Sequence, residues 1–398
     1  MGRKAVQETI FSERRIYEKT VSVTDCRSYT FPGLQQSVKE LLKPFGGLEY
    51  FFSSGARVLI KPNLLAAASP EEAVTTHPAL VKALVVAAQE AGAKVYLGDS
   101  PIRGSLEEVA RTAGMEELLR ETGTLLLPFK KIKNISFPKG RKCQEFPLAA
   151  EALEMDFIIN VGKLKTHSLT GLTAAVKNCY GLLVDKHKMR YHARYPSVHD
   201  FADMLLDLYL AVKPGFSVMD AVVAMEGHGP RKGTPKAVGA LLASPNAVAL
   251  DAAIAQLAGY STHEVSTLQA ASRRGLPGYD LGELEIEGPL ETLRRTDFDK
   301  GPSTGGWSFL WRFAPSWLRN TQQRRRPWPV VGEECNLCRA CLEYCPVGVM
   351  YVADEMQQKD NLGKKESVKI QHEKCLRCYC CHEICPRGAI KLQAGLPR

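Results

Sequence analysis

Two runs of four cysteines dictate the local structure at one end of this chain. Cys335, Cys338, Cys341 and Cys345 are followed by Pro346, and Cys375, Cys378, Cys381 and Cys385 by Pro386. Each run reads C-x2-C-x2-C-x3-C-P. Nine of the twelve cysteines lie within residues 335–385, eight of them in the two runs. A secreted protein would use such crowding for disulfides, whereas a reducing compartment turns it to metal or redox chemistry. Thiolates are soft, charged ligands, and three of them so closely spaced wrap one face of an iron–sulfur cubane. Structural zinc also takes four thiolates. Two complete runs, each closed by proline, favour iron–sulfur over zinc.

Residues 331–390 resemble the two-cluster bacterial ferredoxins, in which the fourth ligand of each cluster comes from the other run. The resemblance implies that Cys335, Cys338, Cys341 and Cys385 hold one [4Fe–4S] cluster. Cys375, Cys378, Cys381 and Cys345 hold the second. Residues 331–398 are then a small α+β ferredoxin-like domain that moves single electrons. Cys380 falls off the spacing and reads as a packed neighbour. The charged stretch Asp354–Lys369 between the runs reads as a solvated hairpin.

The chain has 398 residues, enough for two or three domains. Residues 50–290 alternate strand and helix signals. Strands are expected at Arg57–Lys61, Lys94–Leu97, Leu125–Pro128, Phe157–Val161, Ser217–Val223, Val238–Ala243 and Leu284–Ile286. Helices are expected at His77–Gly92, Leu106–Thr122, Phe201–Val212 and Ala247–Leu257. This alternation predicts an α/β domain with a largely parallel sheet. Residues 1–49 read as an N-terminal extension with its own strand and helix. Residues 291–330 read as a linker carrying all four tryptophans.

The segments IKPNLL, TTHP, GDSP, INVGKLKTH, AVKNCYGLL, MDAVVAMEGHGPRKGTP and ASPNAVALDAA occur in this order. Together they resemble the DUF362 family over roughly residues 50–275, and members of that family are often joined to a two-cluster ferredoxin domain. The resemblance implies an architecture and a polar site rather than a particular reaction.

In α/β sheets, ligands sit beyond the carboxyl ends of strands. Lys61, Asn63 and Asp99 follow predicted strands, as does Gly162–His167. If that segment stays extended, Lys163, Lys165 and His167 share one face. Lys177 and Asn178 follow one helical segment later. Residues 163–199 contain five lysines, two arginines and four histidines against the single acid Asp185. One-sign charge after a strand end points to an anionic ligand, and a solvated basic face or a dock for an acidic partner is the alternative. Gly227, Gly229 and Gly233 lie beside Arg231 and Lys232, where backbone amides can approach an anion. The spacing is neither a Rossmann fingerprint nor a P-loop. His167, His192 and His228 are the candidates for acid–base work, because histidine titrates near neutrality. His77 reads as a helix entry, Cys179 as a buried thiol, and Asp99, Asp220 and Asp251 as capping or pairing carboxylates.

The formal net charge is +9. No apolar run approaches the roughly 18 residues that span a bilayer, and nothing apolar follows Arg14-Arg15 as an export signal would require. The expected location is the cytoplasm. Residues 307–328 mix aromatics and arginines, which suits a membrane surface or single-stranded nucleic acid. The favoured reading is a linker pinned by tryptophans, with nucleic acid disfavoured. Together these features predict an iron–sulfur oxidoreductase acting on an anionic small molecule, with a redox partner protein as electron donor or acceptor. The rival is an electron relay or an assembly factor that docks a redox partner and catalyses nothing.

Overall fold

A computed structural model describes residues 17–301, 326–355 and 365–395. By its internal contacts the chain divides into two units, one of residues 1–185 and 202–306, the other of residues 186–201 and 307–398. Most of the Trp/Arg-rich stretch 307–328 lies outside the described residues, as does the tip of the 354–369 hairpin.

The first unit is built on nine strands: β1 (Thr20–Asp25), β2 (Arg57–Pro62), β3 (Lys94–Leu97), β4 (Leu125–Leu126), β7 (Phe157–His167), β8 (Gly171–Thr173), β9 (Phe216–Glu226), β10 (Thr234–Ser244) and β11 (Glu285–Glu287). A separate hairpin contains β5 (Ile132–Ser136) and β6 (Glu145–Ala149). The sheet order is β11-β1-β10-β9-β7-β2-β3-β4, with β8 folded back on β7. The run from β9 through β7, β2 and β3 to β4 is parallel, and β10 is antiparallel to both β9 and β1. The domain is thus α/β with a largely parallel sheet. The strand and helix expected within residues 1–49 are β1 and the helix Gly33–Leu42, and β1 pairs with β10 and β11 of the main sheet.

Parallel strands in the middle of a sheet are covered on both faces, so they read as continuous apolar runs. RVLIK in β2 and FIINV in β7 fit that rule. β7 continues past the expected end at Val161 to His167, and ten of its eleven residues are buried. The helix Pro78–Glu90 packs against β2 and β3 and ends before Gly92, which takes a left-handed φ of 84°. The expected helix 106–122 is broken in two at Gly114, where a φ of 74° interrupts the α conformation. Phe45, Phe51 and Phe157 gather with Phe216 at ring separations of 4.9–6.1 Å. Truncating one such buried ring to alanine costs roughly 3–5 kcal/mol.

The second unit pairs β12 (Trp328–Val331) with β15 (Ile390–Gln393), and β13 (Met350–Glu355) with β14 (Lys365–Ile370), both antiparallel. Two short helices, Ala340–Glu343 and Cys380–Ile384, carry the third thiol of each run, Cys341 and Cys381. The two halves repeat each other's backbone. Leu337 and Arg339 in the first run have positive φ, and so do Arg377 and Tyr379 at the matching places in the second.

Candidate functional sites

β7 carries Lys163 and Lys165 into the interior, where a cation persists only with partners. Lys163 Nζ lies 3.0 Å from Asp220 Oδ2 and 3.0 Å from the Tyr29 hydroxyl. Tyr29 in turn donates to Asp220 Oδ1 at 2.6 Å, and the backbone N–H of His77 donates to Oδ2. The Tyr29 and His77 rings stack at 3.5 Å. Lys61 pairs with Asp99 at 2.9 Å, both almost fully buried. Asp99 also accepts from the N–H groups of Leu64 and Ser100. Gly181 makes this pair possible, since a Cβ there would stand 2.6 Å from Lys61 Nζ.

Lys165 Nζ donates to Asn63 Oδ1 at 2.9 Å and to the Val74 carbonyl at 2.7 Å. Asn63 then donates to Asn178 Oδ1, and Asn178 to Asn160 Oδ1, so the asparagines form a buried chain. A register irregularity in β7 between Lys163 and Lys165 accompanies their separation onto different partners. Charge that sequence alone left uncompensated is thus met from distant segments: Asp99 answers Lys61, and Asp220 answers Lys163.

Burial holds the Lys163 ammonium below the usual lysine range, with Asp220 opposing the shift. Burial likewise lowers His77 to about 4. His77 caps the helix it enters, its Nδ1 accepting from Ala79 N. Asp251 caps the turn Ala175–Asn178 and is pushed up to about 8 by burial, against the N–H groups of Ala175 and Val176. Burial raises Cys179 to about 12.

The histidine candidates separate. His167 is buried, and its Nδ1 accepts from Leu169 N and Thr170 N, so the neutral ring carries its proton on Nε2. His228 is exposed. His192 belongs to the second unit, buried and stacked on Phe201 at 4.3 Å. Lys177 is half-buried, 5.9 Å from the Tyr180 ring. The glycine loop is anchored by Thr166, whose Oγ1 donates to Gly227 O and accepts from Gly229 N. Tyr29 and Val74 are partners that no local signal in the sequence marks.

In the second unit, Cys335, Cys338, Cys341 and Cys385 line one cavity together with Val368 and Ile390. Cys341 is pushed up to about 11, first by burial and then by the neighbouring sulfurs of Cys335, Cys385 and Cys338. Burial also raises Cys375, whose sulfur neighbours are Cys378 and Cys345, and Cys381, which adds Cys375 to the same group. The first four thiols thus share one cavity, and Cys345, Cys375 and Cys378 neighbour Cys381, which also lies near Cys341. Backbone N–H groups point at three sulfurs: Ala389 at Cys385, Val349 at Cys345 and Arg377 at Cys375, at 3.2–3.4 Å. Cys380 is buried and hydrogen-bonded to Cys378.

Arg326 and Arg377 sit beside the second set. Arg326 donates to the carbonyls of Arg377 and Pro196, and Arg377 donates back to Arg326 O. The Arg377 guanidinium covers the Trp328 ring at 4.3 Å, and Arg326 covers Tyr379 at 5.4 Å. No described helix is long and apolar enough to cross a membrane.

Comparison with known proteins gives two family matches. Residues 58–256 match the family described as "Domain of unknown function (DUF362)", and residues 334–389 match a 4Fe-4S dicluster domain. The thylakoid-associated protein sll1697 of Synechocystis sp. is 35% identical over 259 residues, spanning 65% of this chain and 80% of that protein. Among solved structures, the lactate racemase apoprotein of Thermoanaerobacterium thermosaccharolyticum aligns with a TM-score of 0.38 and 14% identity, over 60% of this chain and 57% of that one. A Thermotoga maritima protein aligns with a TM-score of 0.33 and 12% identity, over 51% and 53%.

Proposed function

The chain belongs to the DUF362 family and ends in a 4Fe-4S dicluster domain, and on that premise we propose an iron–sulfur oxidoreductase acting on an anionic substrate or cofactor. The observation that carries this reading is the 4Fe-4S dicluster match over residues 334–389, supported by the cavity that Cys335, Cys338, Cys341 and Cys385 line together. Cys335, Cys338, Cys341 and Cys385 would hold one [4Fe–4S] cluster, and Cys345, Cys375, Cys378 and Cys381 the other. When bound, such clusters supply one-electron reduction and oxidation. Backbone N–H groups aimed at the sulfurs stabilise negative charge there.

In the α/β unit, Lys165 and Lys177 would hold the anion, with Asn63 and Asn178 as further donors. Lys61, Asp99 and Lys163 form the rigid floor beneath them. His167, whose Nδ1 accepts two backbone N–H groups, would present Nε2–H as a hydrogen-bond donor. Tethering the two units in one chain keeps the electron donor at a high effective concentration. Eight cysteines committed to iron–sulfur clusters suit a reducing compartment such as the cytoplasm. The relay or assembly reading is favoured by one observation: Lys61 and Lys163 already have carboxylate partners, which leaves less charge for an anion.

The test is anaerobic purification followed by iron and sulfide analysis. About eight of each per chain are expected, with bleaching by dithionite. A panel of small carboxylates and phosphates is then screened for reoxidation of the reduced protein. Zinc with little sulfide ends the iron–sulfur reading. Full clusters that no compound in the panel reoxidises favour the relay.

A further inference from the structure

The two thiol sets sit in a repeated backbone but not in a repeated environment. Aligning the runs sets Leu337 against Arg377, Arg339 against Tyr379 and Ala340 against Cys380. Leu337 and Arg377 share the same left-handed conformation, with φ of 59° and 53°. Leu337 packs into the apolar cluster around Cys335 and Cys341. Arg377 instead brings a guanidinium beside Cys375, and its own N–H donates to that sulfur at 3.4 Å. Arg326, only 7% exposed, stands next to it.

Neither guanidinium has a carboxylate partner among the described residues; both are held by carbonyl oxygens and aromatic rings. Desolvated cations held without a carboxylate call for an anion nearby. Glu383 is the buried carboxylate acting on Cys378, one negative charge set against two guanidiniums. Arg339 and Arg387 line the cavity of the first set, but their charges are solvated. Arg339 reaches Glu366 across 3.9 Å with both side chains about half exposed or more, and Arg387 is exposed. Solvent screens such charges, whereas partly buried ones act nearly in full.

We propose that Arg326 and Arg377 make the Cys345–Cys375–Cys378–Cys381 set the preferred seat of the first electron added to this domain. One electron from a one-electron donor adds one negative charge to the set that receives it. The nearby cations stabilise that charge, so the set they flank has the higher reduction potential. Electrons entering at the Cys335 set therefore run downhill to the Cys375 set. This inference rests on the two-cluster reading proposed above.

The experiment uses full-length anaerobic protein, with iron and sulfide counted before each measurement. It is titrated with dithionite and followed by visible bleaching and low-temperature EPR. Wild type should show two one-electron waves. In Arg377→Leu the upper wave should fall by at least the 59 mV that a tenfold change in a one-electron equilibrium represents, with the lower wave unmoved. Arg377→Lys should restore most of it. Leu337→Arg, which places a cation in the matching conformation of the first run, should raise the lower wave. Should Arg377→Leu lose iron, Leu337→Arg and Arg326→Gln carry the test. Waves unchanged in fully loaded Arg377→Leu, or a shift confined to the lower wave, overturn the inference. A wild-type chain holding a single cluster overturns the proposed function itself.

Discussion

In the α/β unit, Lys163 meets Asp220 and Lys61 meets Asp99, each buried cation answered by a buried carboxylate. In the C-terminal unit, Arg326 and Arg377 meet only carbonyls and rings among the described residues, while eight thiols crowd beside them. The first arrangement is closed: its polar atoms satisfy one another, and it holds a shape. The second is open, with cations and sulfurs arranged for a group that the polypeptide does not itself contain. Where buried charge has an internal partner, removing the partner should damage folding. Where it has none, removing a residue should damage loading or potential and leave folding largely alone.

The largest effect that could break this contrast is on metal content. Cys335→Ser should lower iron and sulfide to roughly half of the two-cluster value, with little change in the unfolding of the α/β unit; elemental analysis beside circular dichroism measures both. Cys380→Ser should keep full iron. Next comes the closed network. Asp220→Ala strands Lys163 in the interior and should cost about 3–5 kcal/mol, read from urea unfolding. The double change Lys163→Met with Asp220→Leu should recover most of that loss, because the pair is then replaced by apolar volume. If Asp220→Ala unfolds like the wild type, the network is not closed.

A smaller effect comes from pH. Asp251 has a folded value of about 8 against an ordinary 3.8. Between those values the folded chain keeps a proton that the unfolded chain releases. Its contribution is therefore full below about pH 3.8 and is lost as the pH rises through 8. The thermal midpoint of the wild type should fall relative to Asp251→Asn over that range, and parallel curves would refute the assignment. The smallest effect belongs to the surface: separating Arg57 from Asp156, a pair 42% exposed on each side, should leave the urea midpoint close to that of the wild type, because solvent screens the pair.

Legibility in the sequence followed the range of the interactions. Ligand spacing is local, so the eight cysteines and their off-register neighbour Cys380 could be read directly. The strand Lys94–Leu97 and the helix Ala247–Leu257 are also local, set by apolar runs between breakers, and both fall where expected. β7 runs past the end expected at Val161, because Gly162 and two lysines look polar and loop-like locally, whereas in the fold they are strand residues with partners. Those partners explain the rest of what was missed. Tyr29 lies 134 positions from Lys163, and Asp220 lies 57 away; no periodicity links such residues. The β5–β6 hairpin gave little signal because Ile132–Ser136 is almost wholly solvent-facing, with no apolar face to betray it.

The place of β1 in the sheet has a consequence for how the chain is made. Ser22 lies opposite Ala243, so the earliest strand of the sheet waits for a partner more than two hundred residues downstream. At about 5–20 residues per second, that wait lasts roughly ten to forty seconds on the ribosome. Throughout it, TVSVTD is an unpaired, β-prone segment. The helix Gly33–Leu42 that packs on β1 follows at once, and it offers apolar cover during synthesis. Substitutions on its buried face, Leu34 or Val38, are therefore expected to reduce the yield of folded protein from cells by more than their effect on the finished structure accounts for.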